Sequence, residues 1–151
     1  SDYCKGFLKE DDITYISNQH INVFLDTKKS IGNWASNINF IKINEVELDH
    51  SIGFLHDNEG EFSKKVITTL GSKGAQYQGI KYPVDKVDVR DTSGAGDTFM
   101  AGLVYAYIKC NISNSDTRIW ESIKFANRCS TQIVQKKGTA KVNLKELNNE
   151  V

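Results

Sequence analysis

Asp91-Thr92-Ser93-Gly94-Ala95-Gly96-Asp97-Thr98-Phe99-Met100-Ala101-Gly102 is the stretch around which the rest of the chain is organised. Small residues at 93–95 lead into Gly96 and an acid, and the apolar, small-residue run over 98–108 reads as a helix. Glycine accepts turn dihedrals that a side chain resists, and it lets a ligand approach the backbone. The first amides of a helix have no acceptor inside it, so they can face an anion. Asp97 then sets a carboxylate at the mouth of that amide cup. A carboxylate repels a bound phosphate, so the pairing is poor for binding alone. It suits a site where Asp97 takes a proton from an attacking hydroxyl while the amides of Gly94, Ala95 and Gly96 stabilise a moving phosphoryl group. Other glycine motifs fail here. A dinucleotide fingerprint needs glycine at position 99, where Phe99 stands, and no Walker A stretch occurs.

The chain has 151 residues, room for one domain with a substantial core. Its 19 basic and 19 acidic residues cancel, so charge gives no footing for nucleic acid. No apolar run approaches a membrane span, and no signal peptide is visible. Cys4, Cys110 and Cys129 lack metal-ligand spacing and read as reduced, partly buried thiols of a cytoplasmic protein.

Working outward, strands and helices alternate. Lys9-Glu10-Asp11-Asp12 is an acidic helix start, with Ile13, Ile16 and His20 on one face. Val23-Phe24-Leu25 and Phe40-Ile41-Lys42-Ile43 are short buried strands, separated by a short helix around Ile31, Trp34 and Ala35. Val66-Ile67-Thr68-Thr69-Leu70 is the clearest strand, rich in β-branched residues. Residues 71–74 turn the chain into a returning strand at 75–78, and residues 80–82 continue as a further strand. A helix over 98–109 is expected to pack closely on the sheet through Ala101 and Gly102. Ser115 or Asp116 caps a long helix ending near Gln135, and residues 144–151 close the chain as a short helix. Alternating strands and helices imply a layered α/β fold with parallel pairing. In such sheets ligands lie outside the carboxyl ends of the strands, where Asp2, Asp26 and Asn44 fall.

Residues 91–97 resemble the DTxGAGD signature of the PfkB/ribokinase family of carbohydrate kinases. The resemblance implies a ribokinase-like three-layer α/β/α sandwich with a mostly parallel sheet, incomplete at its N-terminus. Residues 1–151 then correspond to the C-terminal nucleotide-binding and catalytic portion of such a kinase domain. ATP and Mg2+ follow as cofactors, with Asp97 as the base. Asn44-Glu45-Val46-Glu47 resembles the family's N-x-x-E motif, which implies that Glu47 holds magnesium through water with Asn44 nearby; an N-capped helix bearing a solvated Glu is the plainer reading. Thr69-Leu70-Gly71-Ser72-Lys73-Gly74-Ala75 resembles the T-L-G-x-x-G-A loop beside the nucleotide, placing Thr69, Gly71 and Gly74 there; an ordinary hairpin fits the local sequence as well. Residues 125–130 and 138–140 resemble the adenine-side helix and its following loop, with Asn127 at the base or ribose edge, or else a helix-surface amide. Arg128 and Cys129 depart from the alanines usual there. Asp91 and Ser93 are candidate contacts for a monovalent cation, potassium.

Ser1-Asp2-Tyr3-Cys4-Lys5-Gly6 is similar to the S-D-Y-x-K-G segment of bacterial D-glycero-beta-D-manno-heptose-7-phosphate kinases, and Leu25-Asp26-Thr27-Lys28 to their D-P-K turn, with Thr27 in place of proline. That similarity implies a sugar or sugar-phosphate substrate and makes Lys5 a candidate reader of its phosphate; a surface lysine in a loop is the alternative. Ribose, a nucleoside or a fructose phosphate are alternative acceptors, and a catalytically silent ATP-binding fragment is the non-enzyme alternative. For the full-length protein the family also raises a homodimer, though no residue of this chain carries that expectation.

Overall fold

The structure, a computed structural model, describes residues 1–148. It divides into two compact units, one of Ser1–Gly71 with Ala75–Lys81, the other of Ser72–Gly74 with the chain from Tyr82 onward.

In the first unit, strands β1 (Phe24–Asp26), β2 (Phe40–Asn44) and β3 (Val66–Thr69) run parallel, and β4 (Ala75–Tyr77) returns antiparallel to β3. With β5 (Ile80–Tyr82) they form one five-stranded sheet in chain order. Leu25 pairs with Ile41, Lys42 with Ile67 and Thr69 with Ala75. Asp2 extends the sheet beyond β1: its N–H donates to Asp26 O at 2.7 Å and its carbonyl accepts from Lys28 N at 3.2 Å. The first four residues of β2 are all buried, as a strand covered on both faces requires. Ile41 and Ile43 are fully shielded and join Leu25, Ile31, Ala35, Ile38 and Phe62 in the core. Each of the larger side chains contributes roughly 1.5–3 kcal/mol of burial.

Helix α1 (Glu10–Ser17) buries Ile13, but Ile16 is 49% exposed and His20 lies past the helix end. The apolar face expected there narrows to one isoleucine, and the helix stops at Ser17, whose hydroxyl donates to Thr14 O. The short helix around Trp34 is a single 3-10 turn, Asn33–Ala35. Helix α2 (Glu45–Asp57) follows β2 directly, and a four-residue α3 (Glu59–Phe62) precedes β3.

The second unit is built on α4 (Ala95–Lys109) and α5 (Ser115–Val134). Gly102 was expected to meet the sheet, but it meets α5. A Cβ there would stand 3.1 Å from Cys129 Sγ and 3.2 Å from Ala126 Cα. Ile119, Ile123, Ala126, Cys129 and Ile133 form the buried stripe of α5, while Ile108, at the end of the apolar run of α4, is 68% exposed. The cap of α5 is Asn114, not Ser115 or Asp116; its Oδ1 accepts from Thr117 N at 2.9 Å. Helix α6 (Leu144–Asn148) is tied to α5 through Gln132, whose amide donates to Glu146 at 2.9 Å. The rest of the expected closing helix, 149–151, lies outside the described residues. No described helix is long and apolar enough to cross a membrane.

Candidate active site

Helix α4 begins three residues earlier than its apolar run suggests, because Gly94 serves as its N-cap at φ 75°. That left-handed value is one a side chain resists, and it turns the loop directly into the first helical residue. Asp97 is thereby the third residue of α4, exposed, at the positive end of the helix dipole. Thr98 N donates to Gly94 O at 2.9 Å and closes the first turn. The Ala95 amide, expected in the anion cup, donates to Thr92 O at 3.1 Å instead. The N–H groups of Gly94 and Gly96 have no backbone acceptor outside the helix itself among the described residues.

Asp91 fixes this loop from outside. One carboxylate oxygen accepts from Ser93 N at 2.8 Å, the other from Gly138 N at 3.0 Å. The Ser93 contact above all, then Gly138, holds the Asp91 carboxyl below the usual carboxylate range. The amides of Arg90 and Asp91 both donate to Val134 O, at 2.8 and 3.2 Å, so the loop is also laced to the last residue of α5. Ser130 Oγ donates to Ala95 O at 3.0 Å. The signature loop and the Gly138-Thr139-Ala140 loop, 47 residues apart at their contact, are thus brought side by side. Asn127, whose plainer reading was a helix-surface amide, is buried, and its Nδ2 donates to Tyr82 O at 2.8 Å. Gly74 sits at φ 90°, and a Cβ there would fall 2.0 Å from the same carbonyl oxygen. Arg128 lies over the Phe125 ring at 5.6 Å, and burial pushes the Cys129 thiol up to about 11.

In the first unit the carboxyl ends of the strands carry charge. Asn44 and Glu47 form a reciprocal capping box: Asn44 Oδ1 accepts from Glu47 N at 2.9 Å, and Glu47 Oε2 accepts from Asn44 N at 2.8 Å. Glu47 is only 7% exposed, so it is not the solvated Glu of the plainer reading, although the cap itself is present. Its Oε1 takes no part in the box. One such carboxylate acting through water fits magnesium, which keeps several waters of its own. No cluster of three or more metal-ligating side chains occurs among the described residues. Thr69 Oγ1 donates to Ile43 O at 3.3 Å, and Gly71 opens a 3-10 turn at φ 57°. Lys5 is exposed between Cys4 and Gly6, both at positive φ.

Two part-buried ion pairs at these strand ends were not anticipated. Lys42 Nζ lies 3.1 Å from Asp26 Oδ1, and Lys29 Nζ 2.9 Å from Asp2 Oδ2. Burial alone raises Asp2, yet bonds from Lys29, the Cys4 amide and the Thr27 hydroxyl hold it below its ordinary value. Thr27, where a proline stands in the resembled turn, is fully buried and donates to Asp2 at 3.1 Å. Strand-end position was readable for Asp2 and Asp26; their lysine partners were not.

The sequence matches the pfkB family carbohydrate kinase profile over residues 5–146. This chain belongs to the pfkB family. Among curated relatives, the bifunctional protein HldE of a Nitratiruptor species is 31% identical over 163 residues, covering 97% of this pfkB chain and 34% of that protein. Fructokinase-1 of Zea mays is 34% identical over 111 residues, 65% of this chain and 34% of that protein. The pfkB chain therefore spans about a third of the length of these relatives. Among solved structures, aminoimidazole riboside kinase from Salmonella enterica, complexed with aminoimidazole riboside and an ATP analog, superposes with a TM-score of 0.72 at 24% identity. The match covers 91% of this chain and 56% of that one. Ribokinase from Thermotoga maritima matches with a TM-score of 0.63 at 21% identity over 85% and 48%. The fold of this pfkB chain is ribokinase-like α/β, as the signature implied.

Proposed function

We propose that this chain is the phosphoryl-transfer portion of a carbohydrate kinase that moves the γ-phosphoryl group of ATP to a hydroxyl of a sugar or sugar phosphate. The observation that carries the reading is the left-handed Gly94 cap opening α4 with an exposed carboxylate, Asp97, in its first turn. Phosphoryl transfer is mostly positioning and charge stabilisation, for which one base and a few oriented amides are adequate equipment. Asp97 accepts the proton of the attacking hydroxyl. The Gly94 and Gly96 amides and the α4 dipole stabilise charge on the transferred group, while Ala95 spends its amide on shaping the turn. Magnesium, when bound, neutralises the phosphate oxygens. Glu47, its carboxylate fixed by Asn44, is the residue that would hold the ion. Thr69, Gly71 and Gly74 line the nucleotide, and Asn127 acts by holding the Tyr82 backbone in place. The Asp91–Ser93 turn is the candidate potassium contact.

For the acceptor, the 31% identity to HldE and the S-D-Y-x-K-G resemblance favour heptose 7-phosphate, with Lys5 reading its phosphate. Cytoplasmic location and a dimer of the full-length protein belong to the same reading.

The test is sugar-dependent ADP formation by the wild-type protein and Asp97→Asn, with MgATP affinity measured alongside. Asp97→Asn is expected to lower kcat about 10²–10⁴-fold with MgATP affinity unchanged. Full activity in that variant would sink the assignment. Lys5→Ala raising the KM for heptose 7-phosphate, but not for ATP, tests the acceptor separately.

A further inference from the structure

A peptide group is planar, so the carbonyl of one residue and the N–H of the next turn together and point opposite ways. The Ala95 carbonyl and the Gly96 N–H are the two ends of one such group, in the first turn of α4. What holds the carbonyl therefore aims the amide. Ser130 of α5 holds it: its Oγ donates to Ala95 O at 3.0 Å, across 35 residues of chain. The ordinary habit of a serine inside a helix is to bond back to the carbonyl four residues before it. Ser122, on the same helix, does so, donating to Arg118 O at 2.7 Å. Ser130 reaches across to α4 instead, and the close meeting of Gly102 with Ala126 and Cys129 brings the two helices near enough for it.

The 95–96 peptide needs a hold from outside its own helix. Helical bonding is weakest in the first turn, where the amides lack acceptors and the end frays. Turning this peptide changes little besides ψ of Ala95 and φ of Gly96, and Gly96 has no Cβ to resist the turn. The peptide before it is already fixed, because the Ala95 amide donates to Thr92 O. The Gly96 N–H has no backbone acceptor outside the helix among the described residues, so its direction is left to the carbonyl behind it. A hydroxyl donating to that carbonyl also polarises the peptide and strengthens its N–H as a donor. We propose that Ser130 is a positioning residue of the phosphoryl-transfer site, locking the 95–96 peptide so that the Gly96 amide faces the transferred group. This role rests on the phosphoryl-transfer reading and adds to it a residue that acts through the backbone alone.

The test compares wild type, Ser130→Ala and Ser130→Thr in the whole chain, by the N–H residual dipolar couplings and order parameters of α4 and by steady-state kinetics. In Ser130→Ala the Gly96 N–H should lose order and change direction, while Gly94 and residues 98–109 keep theirs. The kcat for sugar-dependent ADP formation should fall about three- to tenfold with the KM for MgATP unchanged, a split that a merely structural bond would not produce. Ser130→Thr, which keeps the hydroxyl, should restore both. A Gly96 amide unaltered in Ser130→Ala overturns the positioning. So does a loss of order spread evenly along α4, which marks a packing contact only. An unaltered kcat beside a loosened Gly96 overturns the part in catalysis. Absence of sugar-dependent ADP formation in the wild type would defeat the transfer reading itself, and the catalytic part of Ser130 with it. That failure is told apart by the Gly96 amide, which reports on Ser130 without substrate.

Discussion

The side-chain amide of Asn127 donates to the main-chain carbonyl of Tyr82 at 2.8 Å, and that oxygen occupies the space a side chain on Gly74 would need. A buried helix residue thus holds the end of β5 against a turn that only glycine can make. Asn127→Leu keeps the volume but strips the carbonyl of its donor. It is expected to cost about 1–3 kcal/mol in urea unfolding.

Gly74 and Gly94 separate strain from collision. Both have left-handed φ, but a Cβ on Gly94 meets nothing within 4 Å, whereas one on Gly74 meets backbone. Gly94→Ala should lose about 1–2 kcal/mol from dihedral strain alone. Gly74→Ala should lose more, because Tyr82 and Pro83 must also move. The reverse order of unfolding midpoints would contradict the geometry.

Glu47 has a structural duty that can be split from its proposed magnesium duty. Glutamine retains an oxygen that can accept from Asn44 N, so Glu47→Gln should leave unfolding nearly unchanged while weakening magnesium-dependent ATP binding. Glu47→Ala removes the reciprocal cap and should cost roughly 1 kcal/mol as well. Equal stability losses for both variants would show that the charge, not the cap, matters to α2.

Asp91 predicts an acid limb. Its folded value is depressed by the amides it accepts from, so its contribution is fully present above the ordinary carboxylate value of about 3.9. The contribution is lost as pH falls below that, through the folded value. The Gly138 amide resonance should follow this titration, and Asp91→Asn should abolish it. A midpoint at or above about 3.9 would rule the clamp out.

The cysteines should differ sharply toward a thiol reagent at a mildly alkaline pH of about 8, near the ordinary thiol value. Cys4 is exposed, whereas Cys129 is buried against Gly102 with its thiol pushed up to about 11. Native protein should be labelled at Cys4, and Cys129 only on unfolding. Rapid labelling of Cys129 in the folded state would mean that α4 and α5 separate readily.

What the sequence made legible was local. The β-branched run of β3, the buried run of β2 and the glycine entry to α4 each announce themselves within a few residues, because backbone sterics act at that range. The misses are matters of distance or competition. Asn127 meets Tyr82 across 45 residues, and Lys42 meets Asp26 across 16, so neither pairing leaves a local mark. Ile16 lies inside α1 yet stays half-exposed, because tertiary packing covers only the Ile13 side of the helix. Asn114, Ser115 and Asp116 are all good caps by composition. Only the backbone entering α5 selects the first.

The double grip of Asp91 makes the start of α4 and the turn after α5 one mechanical piece. An anion that settles on the Gly94 and Gly96 amides would still the loop, and Asp91 would pass that stillness to Gly138, 47 residues further along the chain. Anion binding at the proposed cup would therefore be written in the proton-exchange rate of the Gly138 amide, which the ligand need not touch.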